Sequence, residues 1–173
     1  MSPNCTSVRA PSDYAAQFAE YLASLGWRAA LIGALAAARY RRDARMTTDV
    51  DLLVAAIGDL PARLAADGYE VRAMTEPGEQ EPYLVFVRGH GVRVDVMAAE
   101  TAFQRSALER AVDGTITVED VIVFKLLAWR PRDQDDVASI LAAGHALDDA
   151  YIQQWVDEWV VNDRWAQAQR WGS

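Results

Sequence analysis

Two aspartates at the start of an apolar segment are the residues of this sequence best suited to chemistry. Asp49 and Asp51 stand two apart in the segment DVDLLV, and alternate residues of a β-strand point to the same face. The apolar residues between and after them are then expected in the core. Two neighbouring carboxylates repel each other, and a divalent cation such as Mg²⁺ offsets that repulsion because it prefers hard oxygen ligands. A strand that merely carries two hydrated acids is the alternative.

The residues upstream of this acid pair predict a phosphate-binding turn. An apolar strand is expected from Trp27 to Ile32, followed by a turn at Gly33 and a helix from Ala34 to about Tyr40. Glycine allows the backbone to approach a ligand closely, and a helix N-terminus presents free N–H groups to an anion. Nucleotide chemistry needs both a phosphate site and a metal-binding acid pair.

These segments resemble the signature of the nucleotidyltransferase (DNA polymerase beta-like) superfamily. The resemblance rests on Gly33-Ala34, Arg45-Met46-Thr47-Thr48 and Asp49-Val50-Asp51. It implies an NTP as donor and Mg²⁺ or Mn²⁺ held by the acids. The residues that would bind the nucleotide are Gly33, Ala34, Arg45, Thr47 and Thr48. Ala34 stands where Ser or Gly is usual, which leaves backbone amides to bind the phosphate.

Asp95 is the candidate for a third metal ligand. It lies in a segment, Val92–Ala98, in which valines alternate with other residues, as expected for the second strand of a hairpin. The resemblance implies a third carboxylate from a neighbouring strand, which also lies where it can help deprotonate an acceptor hydroxyl. An exposed strand acid is the alternative.

Lys125 is the only lysine in the chain and is expected on the apolar stripe of a helix from Thr117 to Trp129. It is a candidate for contact with the triphosphate, and a structural lysine that snorkels to the surface is the alternative.

Lys125–Ala128 and Arg132–Val137 together resemble a later motif of one branch, the AbiEii/AbiGii toxin-like nucleotidyltransferases of bacterial abortive-infection and toxin–antitoxin systems. The resemblance implies active-site roles for Lys125 and Asp133, with Asp136 as the alternative to Asp133. It also implies a cognate antitoxin as partner. Capping of the helix that follows Pro131 is the alternative role for Asp133.

Composition limits the classes of partner. The net charge of −8 argues against sequence-independent coating of nucleic acid. The arginines between Arg39 and Arg45 nevertheless form a basic cluster that can steer a triphosphate or an RNA end, with a solvated loop as the alternative.

Cys5 has no partner for an internal disulfide. The apolar runs are too short for a membrane span and no signal peptide is apparent, so a cytoplasmic protein is expected.

The expected architecture is α/β: one domain over residues 1–173 with a small mixed sheet, flanking helices and a helical C-terminal half. The core spans about 12–98 and the helical part about 101–171. The first helix is expected from Ser12 to about Leu25, capped by Ser12 or Asp13. Strands are expected at 27–32, 49–55, 69–73, 83–88 and 92–98, and further helices at 60–67, 101–112 and 117–129, after Pro131, and twice in the tryptophan-rich segment 148–173.

The function predicted on this basis is transfer of an NMP from an NTP to an acceptor hydroxyl. The toxin-like resemblance implies tRNA or another macromolecule as acceptor. A small molecule such as an aminoglycoside antibiotic is the main alternative, and the acidic net charge is compatible with it. A catalytically inactive nucleotide-binding module and a purely structural protein are two further alternatives.

Overall fold

A computed structural model describes residues 10–43, 47–89 and 91–171. The elements in chain order are α1 (Pro11–Ser24), β1 (Ala29–Ile32), α2 (Gly33–Ala38), β2 (Asp49–Val54), α3 (Leu60–Ala66), β3 (Glu70–Thr75), β4 (Pro82–Gly89), β5 (Val92–Ala98), α4 (Ala102–Arg110), α5 (Val118–Ala128), α6 (Pro131–Ala142), α7 (Asp149–Glu158) and α8 (Asn162–Gln169). The α/β architecture predicted from the sequence is confirmed.

The strands form one five-stranded mixed sheet in the order β1-β2-β5-β4-β3. Only the central pair, β2 and β5, is parallel, and the other neighbours are antiparallel. The outer edge of β1 is covered by a short segment after α4, because Leu31 N–H donates to Gly114 O at 2.7 Å and Ile116 N–H donates to Leu31 O at 3.2 Å. This pairing blunts a sheet edge that would otherwise be open.

The two faces of the sheet are buried to different extents. One face carries the alternating valines of β4 and β5, which are buried, and α1 and α3 pack against the sheet. On the other face Ile32 and Leu53 are buried near α2, whereas Phe86 and Met97, on β4 and β5, are only half-buried. The second face is therefore closed over β1 and β2 and open over β3, β4 and β5.

The C-terminal half is built around α5. Its side chains are buried on almost every side, and it packs against α2, α6 and α7, which is the pattern of a core helix. A capping box marks its start, because Thr117 N–H donates to Asp120 Oδ2 at 3.2 Å. Trp155 and Trp165 of the last two helices are buried, so these two tryptophans serve packing.

Two helix starts differ from the sequence prediction. The N-cap of α1 is Ala10 rather than Ser12 or Asp13, because Pro11 occupies the first turn, where its missing N–H costs nothing. Helix α6 likewise begins at Pro131, with Arg130 as its N-cap, so Asp133 lies inside the first turn and serves the capping role, given above as its alternative, from that position. Its carboxylate accepts a hydrogen bond from Arg130 N–H at 3.1 Å.

The remaining boundaries agree with the predictions to within a few residues; β1, for example, begins at Ala29 rather than Trp27. Cys5 and Arg45 lie outside the described residues. Within the described ranges, no helix has the length and apolar character needed to cross a membrane.

Candidate active site

The three predicted metal ligands lie on one face of the sheet. Strands β2 and β5 pair in parallel, with Asp51 opposite Asp95 and Asp49 opposite Arg93. Partner residues in a ladder project to the same face, and Asp49 shares that face with Asp51 because the two stand two apart. The parallel crossover therefore brings together acids that are more than forty residues apart in the sequence.

Gly33, the first residue of α2, packs directly against Asp51. Its φ of +67° lies in the left-handed region, and a β-carbon built on it would stand 2.1 Å from Asp51 Oδ2. No residue with a side chain fits at that position without displacing the carboxylate. The backbone at the start of α2 is thus held directly beside Asp51.

The Asp51 carboxylate lies in an environment that disfavours its charge. Burial raises the pKa of Asp51 above the ordinary value, the charge of Asp95 raises it further, and the cations of Lys125 and Arg93 only partly offset this. None of the hydrogen bonds or ion pairs found within residues 10–43, 47–89 and 91–171 involves the Asp51 carboxylate. A bound cation would supply the missing compensation.

Asp95 is paired with an arginine that the sequence analysis did not select. Arg93 donates from Nε to Asp95 Oδ1 at 2.8 Å and from Nη2 to Asp95 Oδ2 at 2.5 Å, and its guanidinium lies 5.0 Å from the centre of the Phe86 ring. The sequence alone could have indicated this pair, because Arg93 and Asp95 stand two apart on a strand and therefore share a face. Arg93 occupies both oxygens of the carboxylate proposed as a metal ligand.

Lys125 is buried and holds two aspartates of α6. Its Nζ lies 3.0 Å from Asp133 Oδ1 and 2.8 Å from Asp136 Oδ2, and both carboxylates are fully buried. Burial alone would raise the pKa of Asp133, but hydrogen bonds from Arg130 and Lys125 outweigh it and hold the pKa below its usual value. The structure brings Lys125 together with both of the aspartates between which the sequence left the choice open.

Arg41 completes this buried ion network. Its Nη1 lies 2.5 Å from Asp136 Oδ1 and 3.0 Å from Asp135 Oδ2, with the side chain only 6% exposed. The predicted basic cluster between Arg39 and Arg45 is therefore not a free cationic surface at its centre. Arg41 ties the segment between α2 and β2 to α6, because a buried charge is stable only when it is paired.

The other predicted nucleotide ligands lie around the start of α2 and of β2. Ala34 is half-buried in the first turn of α2, where backbone N–H groups lack partners within a helix. Thr47 and Thr48 directly precede β2, and the Thr48 side chain is exposed. They are thus close in sequence to Asp49, while Arg45 lies outside the described residues.

The donor chemistry of the site fits a hard divalent cation, since carboxylate oxygens are its only candidate ligands. In the part of the chain that the structure describes, no three acidic, histidine or cysteine side chains converge closely enough to hold an ion as they stand. Asp95 presents both of its oxygens to the Arg93 guanidinium. A cation would be held by Asp49 and Asp51, joined by Asp95 once Arg93 releases it.

Two solved structures share this fold over nearly their whole length. One is an antigenic nucleotidyltransferase-like protein from Paracoccidioides brasiliensis, with a TM-score of 0.56, 18% identity, and coverage of 95% of this chain and 93% of that one. The other is the antibiotic-resistance factor ANT(2'')-Ia, with a TM-score of 0.54, 16% identity, and coverage of 91% and 93%. Neither a protein-family model nor a curated protein sequence matches this chain. The chain has the nucleotidyltransferase fold.

Proposed function

We propose that this protein is a nucleotidyltransferase that moves an NMP from an NTP to an acceptor hydroxyl. The observation that carries the proposal is the pairing of Asp51 with Asp95 on the two central parallel strands, with Asp49 on the same face. Such a constellation on the nucleotidyltransferase fold supports metal-assisted nucleotidyl transfer better than it supports a structural role. A structural role does not explain why the charge of the Asp51 carboxylate is only partly compensated.

Asp49, Asp51 and Asp95 are the residues proposed to hold Mg²⁺ or Mn²⁺. The bound cation would neutralise charge on the phosphate oxygens and orient the triphosphate. The backbone amides of Gly33 and Ala34 are proposed to contact the phosphates of the NTP. The side chains proposed to assist them are Arg45, Thr47 and Thr48.

In the proposed step the acceptor oxygen forms a bond to the α-phosphorus and the bond from that phosphorus to pyrophosphate breaks. The acceptor hydroxyl must lose its proton, and Asp95 is placed to take it when Arg93 no longer occupies its oxygens. Pyrophosphate leaves with the electrons of the broken bond. No oxidant or other reactant is needed.

Lys125 is proposed to act in the site as a fixed charge. Its ammonium lowers the pKa of Asp51 against the larger effect of burial, so it lies within electrostatic range of the acids. Asp133 and Asp136 hold it in place through contacts of 3.0 and 2.8 Å. The ammonium has three N–H donors, and these two contacts leave one of them for a phosphate oxygen. Asp133 is therefore proposed as a positioning residue.

The acceptor is proposed to be tRNA or another macromolecule, as in toxin-like nucleotidyltransferases, with a cognate antitoxin as partner. The residues that support this are the later motif of Lys125 and Asp133, together with the exposed Arg39 and Arg42 in the segment between α2 and β2. An antibiotic is the second candidate, because the chain shares its fold with 93% of an antibiotic-resistance factor.

Incubation with labelled NTP and Mg²⁺ tests the function and separates the two acceptors. We expect label in RNA when total tRNA is supplied, slower growth of bacteria that express the protein, and loss of both effects in Asp49→Asn. Label in an aminoglycoside, with resistance on expression, would assign the second candidate. Binding of NTP without any transfer, unchanged by Asp49→Asn, would indicate an inactive module. Arg63→Gln, a charge change on α3, is the matched control and should behave as wild type.

A further inference from the structure

A cleft lies on the open face of the sheet beside the proposed acids. It has a volume of about 490 Å³. We call it the arginine cleft, and its lining residues are Glu70, Val71, Arg72, Phe86, Arg88 and Arg93. All of them belong to β3, β4 and β5, where the side chains described on this face are exposed or half-buried. Among the lining residues, Arg93 alone has a part in the proposed transfer reaction, through its contact with Asp95.

The strand register connects the cleft to the acids. Arg72 is opposite Phe86, Phe86 is opposite Asp95, and Asp95 is opposite Asp51. These residues therefore form one row across the sheet on a single face. With strands about 4.8 Å apart, Arg72 stands roughly 10 Å from Asp95. A molecule bound in the cleft thus extends directly to the proposed site of proton transfer.

The cleft carries an excess of positive charge, with three arginines among its lining residues. Arg93 is paired with Asp95, but neither Arg72 nor Arg88 has an acidic partner within ion-pair distance among the described residues. Glu70 is the one acid among the lining residues. In a chain of net charge −8, two unpaired guanidiniums in a concave surface favour an anionic ligand.

We infer that the arginine cleft binds the phosphate of a phosphate-bearing acceptor. Guanidinium groups recognise phosphate through two parallel hydrogen bonds, which Arg72 and Arg88 are free to make. Phe86 adds an apolar ring between Arg72 and Asp95. A base or a sugar can pack on the part of this ring that the Arg93 guanidinium does not cover. The acceptor is then the end of an RNA strand or a phosphorylated small molecule, and a cationic aminoglycoside is disfavoured. This assignment rests on the proposed nucleotidyl transfer.

Binding measured without NTP or metal tests the cleft separately from the reaction. The probes are a fluorescent single-stranded RNA oligonucleotide, followed by anisotropy, and ribose 5-phosphate, followed by calorimetry. We expect at least one probe to bind and the double variant Arg72→Gln/Arg88→Gln to weaken it by about tenfold or more, since two charge-assisted contacts are lost. The salt dependence of RNA binding should also decrease. Which probe binds identifies the source of the phosphate.

Arg63→Gln is the control, because it removes an arginine of similar exposure from α3, outside the cleft. Arg72 and Arg88 are exposed, so the double variant should keep the melting temperature of wild type. The inference is overturned if neither probe binds, if the double variant and Arg63→Gln bind equally, or if an aminoglycoside binds and the double variant tightens it. Retained binding of a probe with no nucleotidyl transfer would overturn the proposed function and leave the anion site standing.

Discussion

The α-carbon of Gly33 lies against the carboxylate of Asp51, so that a β-carbon at position 33 would stand 2.1 Å from Oδ2, 2.7 Å from Cγ and 2.9 Å from Cβ of Asp51. Contacts of that length do not occur between real atoms of these types. The first turn of α2 and the acid of β2 are therefore packed without space between them. The backbone proposed to bind phosphate and the carboxylate proposed to bind metal form one unit.

Gly33→Ala should destabilise the fold and disturb Asp51. The left-handed φ of +67° disfavours any side chain there, and together with the clash the cost is expected to be about 2–4 kcal/mol by urea unfolding. Gly144→Ala is the matched control, since its φ is +72° and nothing lies within 4 Å of the added carbon. It should cost only about 1 kcal/mol.

A double-mutant cycle identifies the source of the Gly33 effect. Gly33→Ala should cost less in the Asp51→Ala background, because Oδ2 and Cγ are then absent. Equal costs in both backgrounds would mean that backbone strain alone is responsible.

Asp51→Asn should raise the melting temperature of the metal-free protein at neutral pH. Burial raises the pKa of Asp51 above its ordinary value of 3.8. Because the pKa is raised in the folded state, the Asp51 carboxyl does not lower the stability of the protein below its unfolded pKa. It lowers that stability as the pH rises through its folded pKa. Wild type and variant should therefore have similar melting temperatures near pH 3.8, and the difference between these temperatures should grow as the pH rises. A smaller effect is expected for Asp49→Asn, since Asp49 is exposed. A sharp loss of stability in Asp51→Asn would contradict the prediction.

Lys125→Met should strongly destabilise the protein even though it preserves the apolar stem. It leaves Asp133 and Asp136 buried with less compensation, and breaking a buried pair in this way costs about 3–5 kcal/mol. Arg130→Gln is the comparison, because the Arg130 side chain is 55% exposed and Asp133 keeps Lys125. Its cost should be about 1 kcal/mol or less by chemical unfolding.

The destabilisation caused by Lys125→Met should depend on pH in a predictable direction. The folded pKa of Asp133 is held below its ordinary value of 3.8, so its contribution is present above that pH and is lost as pH falls through the folded pKa. The difference between wild type and Lys125→Met should therefore shrink below about pH 4. Equal unfolding free energies for the two at pH 7 would show that the pairing does not stabilise the fold.

Arg93→Gln should strengthen metal binding. Arg93 holds both oxygens of Asp95, and a cation must displace it to gain that ligand. Since partly exposed pairs contribute up to about 1 kcal/mol, Mn²⁺ affinity should rise by about two- to fivefold, measured by electron paramagnetic resonance of free Mn²⁺. Arg63 has an exposure similar to that of Arg93 and pairs with Asp59 on α3, away from the acids. Arg63→Gln should therefore leave the affinity unchanged. Weaker Mn²⁺ binding in Arg93→Gln would mean that the arginine supports the site.

Local patterns allowed much of the fold to be predicted. The valines of β5 alternate with Arg93 and Asp95, and this period-two pattern specifies a strand with one buried face. Thr117 with Asp120 specifies the start of α5, since each side chain satisfies backbone groups of the other. At the start of α6, Pro131 fixes the first turn two residues before Asp133, so Asp133 caps the helix from its third position rather than as the N-cap.

The sequence by itself determined the three acids, the glycine turn and the single lysine, because each follows from residue type and short spacing. Only the tertiary structure decided what those groups face. The parallel pairing of β2 with β5 sets Asp51 opposite Asp95, and the packing of α5 on α6 encloses Lys125 between two aspartates. The open face of β3, β4 and β5 creates the arginine cleft. These contacts join residues far apart in the chain, and they depend on register and burial, which no local pattern encodes.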